Sequence, residues 1–323
     1  MSLSTLFIIA VTTSRMVFPG VPAYIPSQSD QVPETSPAVR SITMELYSSN
    51  SITAPEVSVT LPEGLKLSKT ARMQVTPFEQ PSQSQSMDKV TVKTYWGSSE
   101  AIQTGQPSVN QISTVCETDQ VNYKTAALWP GRGKGFEAGP ISDDASAVGT
   151  YKLTTNYTGS TSVTLGAAQN FLAPIELADP GKDIDIEKSI KLEWKAVVGA
   201  LAYWVVAYGG NESETIAWTA GSASGADVNI DTALSHNDVT KMLEQKALIG
   251  PDVTSTTIPA GIFKGSTGVM FNITAIGEDI IQEKDGIKTQ VIVRSTACAP
   301  LYSSKYAKPK QDSQESLPAP PQK

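Results

Sequence analysis

A mainly β fold, arranged as two sandwich-like domains, is what the sequence predicts, and three observations predict it. Apolar and polar residues alternate with a period of two in many short runs, most cleanly where Ile190, Leu192 and Trp194 interleave with Lys191, Glu193 and Lys195. Charged residues make up only 18% of the 323-residue chain, and its many Ser, Thr, Val, Gly and Pro residues suit strands joined by turns. Helical spacing is convincing only over Ser235 to Leu248, where Val239, Met242, Leu243 and Ala247 share a face and Ser235 with Asp238 forms a capping-box pattern. The length suits two domains, each large enough to bury a core without staples.

In chain order, residues 1–38 read as a signal-like or disordered leader. Leu6 to Val11 (LFIIAV) supplies a short apolar core and Val21-Pro22-Ala23 a small-residue cleavage site, although no Lys or Arg precedes the run and Arg15 follows it. This places the protein in a secreted or periplasmic setting. Residues 39–178 form the first β domain, with strand patterns over 39–47, 56–61, 71–75, 88–97, 149–157 and 161–172, interrupted by a polar insertion at 80–87. Ala178-Asp179-Pro180-Gly181 makes a turn and the expected boundary. Residues 179–302 form the second domain. There the Val198-Gly199-Ala200 break leads into a strand that is apolar on both faces, Tyr203 to Tyr208, followed by strands at 214–220, 254–258, 269–276 and 286–293 around the inserted helix at about 235–248. Residues 303–323 are polar and Pro-rich and read as a disordered tail.

Leu192-Glu193-Trp194, Gly199-Ala200 with Tyr203 and Val205, Ser255 to Pro259 (STTIP) and Phe271 to Ala275 together resemble a fibronectin type III or related immunoglobulin-like domain. The resemblance covers about a third of the chain, and it implies that Trp194 and Tyr203 pack against each other across two sheets. The helix is an insertion for that family, and the Tyr at its usual corner before Phe271 is missing. Tyr95-Trp96-Gly97 with Gly105-Gln106-Pro107, Ile216-Ala217-Trp218 and Ile258 to Phe263 are similar to an uncharacterised family of proteobacterial secreted proteins. That likeness implies a compartment and no chemistry.

The chemistry is narrowed by what the residues cannot assemble. A net charge of −7 without a basic run argues against a nucleic acid or an anionic membrane as partner, and no run approaches the ~18 apolar residues of a membrane-spanning helix. His236 is the single histidine, so a multi-histidine metal site is excluded, and no G-x-S-x-G elbow accompanies it. The glycine-rich Trp129 to Pro140 (WPGRGKGFEAGP) lacks phosphate-loop spacing because Gly135 follows Lys134; it is either a surface loop or a weak anion-binding loop using Arg132 and Lys134. Asp183, Asp185 and Glu187 alternate and, with Asp179, are weak calcium candidates or a charged strand edge. Cys116 and Cys298 are either a long-range disulfide or two separate thiols. Asn156, Asn211 and Asn272 fit the glycosylation pattern. No cofactor motif is present. The sharpest binding candidates are Trp204, Tyr208 and Trp218, which either form an aromatic platform for a glycan or protein partner or lie beneath another part of the chain. The expected function is therefore a non-catalytic binding or structural role, with a carbohydrate-active hydrolase using cleft carboxylates as the alternative. Oligomeric state is open.

Overall fold

The computed structural model describes residues 5–18, 36–78, 90–112, 123–178, 184–211 and 214–301. Among these the fold is mainly β: β1 (Thr5–Met16), β2 (Val39–Ser48), β3 (Val57–Thr60), β4 (Thr70–Arg72), β5 (Gln74–Pro77), β6 (Val90–Trp96), β7 (Ser108–Ile112), β8 (Thr125–Trp129), β9 (Gly149–Thr155), β10 (Thr161–Leu165), β11 (Ile190–Glu193), β12 (Ala202–Gly210), β13 (Glu214–Thr219), α1 (His236–Glu244), β14 (Ser255–Ile258), β15 (Val269–Ile276), β16 (Ile280–Lys284) and β17 (Ile287–Leu301). The large sheet runs β5-β8-β2-β1-β17-β15-β12-β13-β6-β7, with β16 also paired to β17; β10-β9-β3-β4 form a second sheet and β11-β14 a third. Inward residues of the sheets meet in one continuous core that includes Phe7, Met44, Val59, Leu153, Trp194 and Tyr203.

The chain departs from the expected layout at its start and at its middle. Thr5–Met16, which contains the Leu6 to Val11 run read from sequence as the leader's apolar core, is the strand between β2 and β17, antiparallel to the first and parallel to the second. Phe7, Ile9 and Val11 are fully buried on one face while Leu6, Ile8 and Ala10 are half-buried on the other. A strand covered on both faces reads as an unbroken apolar run, the same pattern a leader presents. The boundary expected near residue 178 does not separate two sheets either. β1, β2 and β8 share the large sheet with β12, β15 and β17, because each half supplies strands with one apolar face to the same core.

Smaller differences have local causes. The run Ala71 to Val75 reads as one strand but divides at Met73, which is 2% exposed and donates its N–H to the Val57 carbonyl. There the chain leaves the small sheet for the large one, keeping its alternation through the corner. β17 extends to Leu301, well past the apolar run that ends at Val293, because Ala297 and Ala299 fit the core face without bulk.

Helix α1 is fixed at both ends. Ser235 Oγ accepts from Asp238 N (3.1 Å) and Ser235 N donates to the Asp238 carboxylate (3.0 Å), the reciprocal cap the sequence predicts. After the helix, Ile249 exchanges two backbone hydrogen bonds with Tyr203, tying the insertion to β12. Before it, the buried Arg294 guanidinium forms a two-pronged pair with Asp279 (2.7 and 2.8 Å) and donates to the carbonyls of Ile230 and Thr232. Asp279 in turn accepts from the N–H groups of Leu234 and Val293. Burying two charges is tolerated here because nearly all their hydrogen-bonding capacity is used.

Candidate functional site

The aromatic residues singled out from sequence do not share one surface. Register pairs Trp218 with Ala207, placing it on the core face of β12–β13, fully buried, with its indole N–H donated to the Gly97 carbonyl (3.0 Å). Trp204 and Tyr208 lie on the opposite face. Trp204 is half-buried against the cluster formed by Ala202, Leu234, Val239, Leu248 and Ile276, and its indole N–H donates to the Gly225 carbonyl (2.6 Å). The helix and the segment before it therefore occupy the apolar face of Trp204. Tyr208 is half-buried at the far end of the strand, and burial, reinforced by Asp227, pushes its phenol up. Trp194 and Tyr203 do make the contact that the fibronectin-like resemblance implies, with ring centroids 5.6 Å apart and edge to face.

The remaining sequence candidates are dispersed. Asp179, Asp183 and Cys116 lie outside the described residues. Asp185 accepts from Glu187 N–H (3.0 Å), and among the described residues no group of His, Cys, Asp and Glu is arranged to hold a metal ion. Cys298 sits half-buried on β17 without a disulfide among the described residues, and burial pushes its thiol up. His236 is exposed at the start of α1, its Nδ1 3.7 Å from the Glu278 carboxylate. Asn156 uses its amide at both ends, accepting from Glu56 N–H and donating to the Ala54 carbonyl, so it is a loop clasp.

What the sequence did not single out is the outer face of the small sheet. Val57, Val59, Ala71, Tyr151, Leu153, Val163 and Leu165 point inward, and the alternating positions face out. Pairing across strands aligns Arg72, Ser58 and Thr154 in one row, and Thr70, Thr60, Lys152 and Ser162 in the next. Thr150 and Thr164 follow, with their hydroxyls 2.9 Å apart. The face is thus a lattice of hydroxyls with two cations, spaced ~4.8 Å between strands and ~6.8 Å along them.

Two concavities meet at Thr70 and Arg72, one at the β4 edge of the sheet and one on this face. One, of about 520 Å³, lies between the β4 edge and the glycine-rich loop, with Leu61, Ala71 and Trp129 on its floor and Lys66, Ser68, Thr70, Arg72 and Glu137 around it. The other, of about 400 Å³, is lined by Glu56, Ser58, Arg72, Thr154 and Asn156, and Thr70 and Arg72 belong to both. Gln74 Oε1 accepts from Arg132 N–H (2.7 Å) and holds the loop in place. A Cβ on Gly131 would lie 2.8 Å from the Gln74 side chain, so this close approach needs glycine. The Arg72 guanidinium stands 5.9 Å from the Phe136 ring centroid, and Glu137 accepts from Gly135 N–H. Lys66 pairs with Asp144, whose carboxyl is held at about 2, first by that contact and then by the Ser142 hydroxyl. No period or motif announces this site, because its residues come from four separated segments. The glycine-rich loop was its one visible signal.

The architecture defines a mainly β, sandwich-like protein with a polar groove on its smaller sheet. No protein family, no curated protein and no solved structure matches the chain.

Proposed function

We propose that this chain is a non-catalytic binding protein of the secreted or periplasmic space, and that it binds a glycan along the outer face of the small sheet. The observation that carries the reading is the pair of adjoining concavities sharing Thr70 and Arg72 across a hydroxyl-lined surface. Combined volumes in the range of ordinary ligand pockets, an apolar floor and a rim of hydroxyl and charged groups suit a sugar chain, which offers both hydroxyls and apolar ring faces. Trp204 is a poorer platform, since its indole N–H and much of its ring are engaged by the helical insertion. The compartment is supported by the resemblance of Tyr95-Trp96-Gly97, Gly105-Gln106-Pro107, Ile216-Ala217-Trp218 and Ile258 to Phe263 to the proteobacterial secreted proteins.

A glycan array probed with the full chain tests the reading. Retention on one class of glycan should be lost when Ser58 and Thr154 are replaced together by bulky Leu, with the unfolding midpoint unchanged, and should persist in Trp204→Phe. Retention that depends on Trp204 and ignores the Ser58/Thr154 pair would move the site to β12. The hydrolase alternative would draw on Glu56 and Glu137, which line the two concavities. Turnover of chromogenic glycosides that disappears in Glu137→Gln or Glu56→Gln would replace binding with catalysis.

A further inference from the structure

We infer that the ligand of this groove is an acidic glycan, one bearing carboxylate or sulfate groups, and that Arg72 is the residue that reads its charge. The inference rests on the glycan reading above and adds the ligand's chemical class. Arg72 stands where the two concavities join, exposed, with its guanidinium set over Phe136. Among the described residues it has neither a carboxylate partner nor a side-chain hydrogen bond. A guanidinium steadied by an aromatic ring and left unpaired presents a fork that matches a carboxylate or sulfate in two-pronged fashion.

The surrounding charge points the same way. The chain carries −7 overall, yet the outer positions of β3, β4, β9 and β10 include Arg72 and Lys152 and no carboxylate. Lys69 precedes β4, and Arg132 and Lys134 lie on the loop that walls the larger concavity, none in an ion pair among the described residues. Of the two carboxylates in the lining, Glu137 is engaged by Gly135 N–H and Glu56 lies in the smaller concavity. Unpaired cations in a concave, partly apolar recess of an acidic protein concentrate anions there. A nucleic acid fits less well, since base stacking needs exposed ring faces and the Phe136 ring is already under Arg72.

The test is binding of the full chain to polygalacturonate and to a sulfated galactan, with neutral dextran and single-stranded DNA alongside, at low and high salt. Acidic glycans should bind, neutral dextran should not, and affinity should fall as salt rises through the range where the Debye length shrinks from ~10 to ~3 Å. Arg72→Gln should weaken acidic-glycan binding by about tenfold, the loss of one charge-assisted contact, and Lys152→Gln by less. Both side chains face solvent, so unchanged unfolding midpoints are expected to accompany the loss. Equal binding of neutral and acidic glycans, indifferent to both variants, would overturn the ligand class and leave the glycan reading standing. Failure of every glycan would remove the glycan reading itself, and DNA binding as tight as the acidic glycans would show a general polyanion surface and overturn the inference.

Discussion

Asp279 and Arg294 have side chains exposed by only 0% and 5%, so each charge depends on the other. Replacing Asp279 with Asn would leave the guanidinium buried with its carbonyl partners but no counter-charge. Breaking a buried pair from one side costs about 3–5 kcal/mol, and urea denaturation of Asp279→Asn should register a loss of that size. A loss under about 1 kcal/mol would mean water reaches the pair and the network is a surface feature. Nothing in the sequence advertises this couple, since Asp279 and Arg294 lie in ordinary polar positions and meet because the corner between β15 and β16 lies beside β17, with which both strands pair. Trp194 and Tyr203 are the opposite case. The fibronectin-like resemblance of the segments around them implies their contact, and the rings meet edge to face.

Among the elements, α1 was the most legible, because its cap and its apolar stripe are both local. Its boundaries still moved, from about 235–248 to His236–Glu244, as the last residues turn back to pair Ile249 with Tyr203. Ser235→Ala should destabilise the protein by about 0.5–2 kcal/mol, seen as a lower unfolding midpoint and faster amide exchange in the first helical turn. The cap also sets a pH dependence. The Ser235 hydroxyl, then its N–H, hold the Asp238 carboxyl below its ordinary value. Because the folded value lies below the unfolded one of about 3.9, the stabilisation is complete above that pH and is lost as pH falls through the lowered folded value. Stability measured from neutral pH down through this window should fall less steeply in Asp238→Asn than in the wild-type chain. Equal slopes would place the acid sensitivity elsewhere. The groove was less legible than the helix for a physical reason: Arg72, Ser58 and Thr154 lie far apart in the sequence and are brought into one row only when β4, β3 and β9 pair.

At the scale of the whole molecule, the mainly β class followed from period-two alternation, whereas the partition of strands among sheets did not, because alternation says which face is buried and not which neighbour buries it. β1 shows what this omission hides. It pairs along both edges, with Ser48 to Val39 on one side and Ile287 to Cys298 on the other, so it joins the β5-β8-β2 group to the rest of the large sheet. Without it two long strand edges would be bared, and Phe7, Ile9 and Val11 would be missing from the core. A chain beginning at residue 18 should therefore lose its cooperative unfolding transition, and a synthetic peptide spanning Thr5–Met16, added in trans, should restore part of it. The milder Ile9→Ala should cost about 2–5 kcal/mol by leaving a cavity beneath the sheet. If the shortened chain unfolds at the same midpoint as the full one and Ile9→Ala is silent, the β2 and β17 edges do not need β1. The segment would then be an appendage laid on a complete fold, as its leader-like sequence suggests.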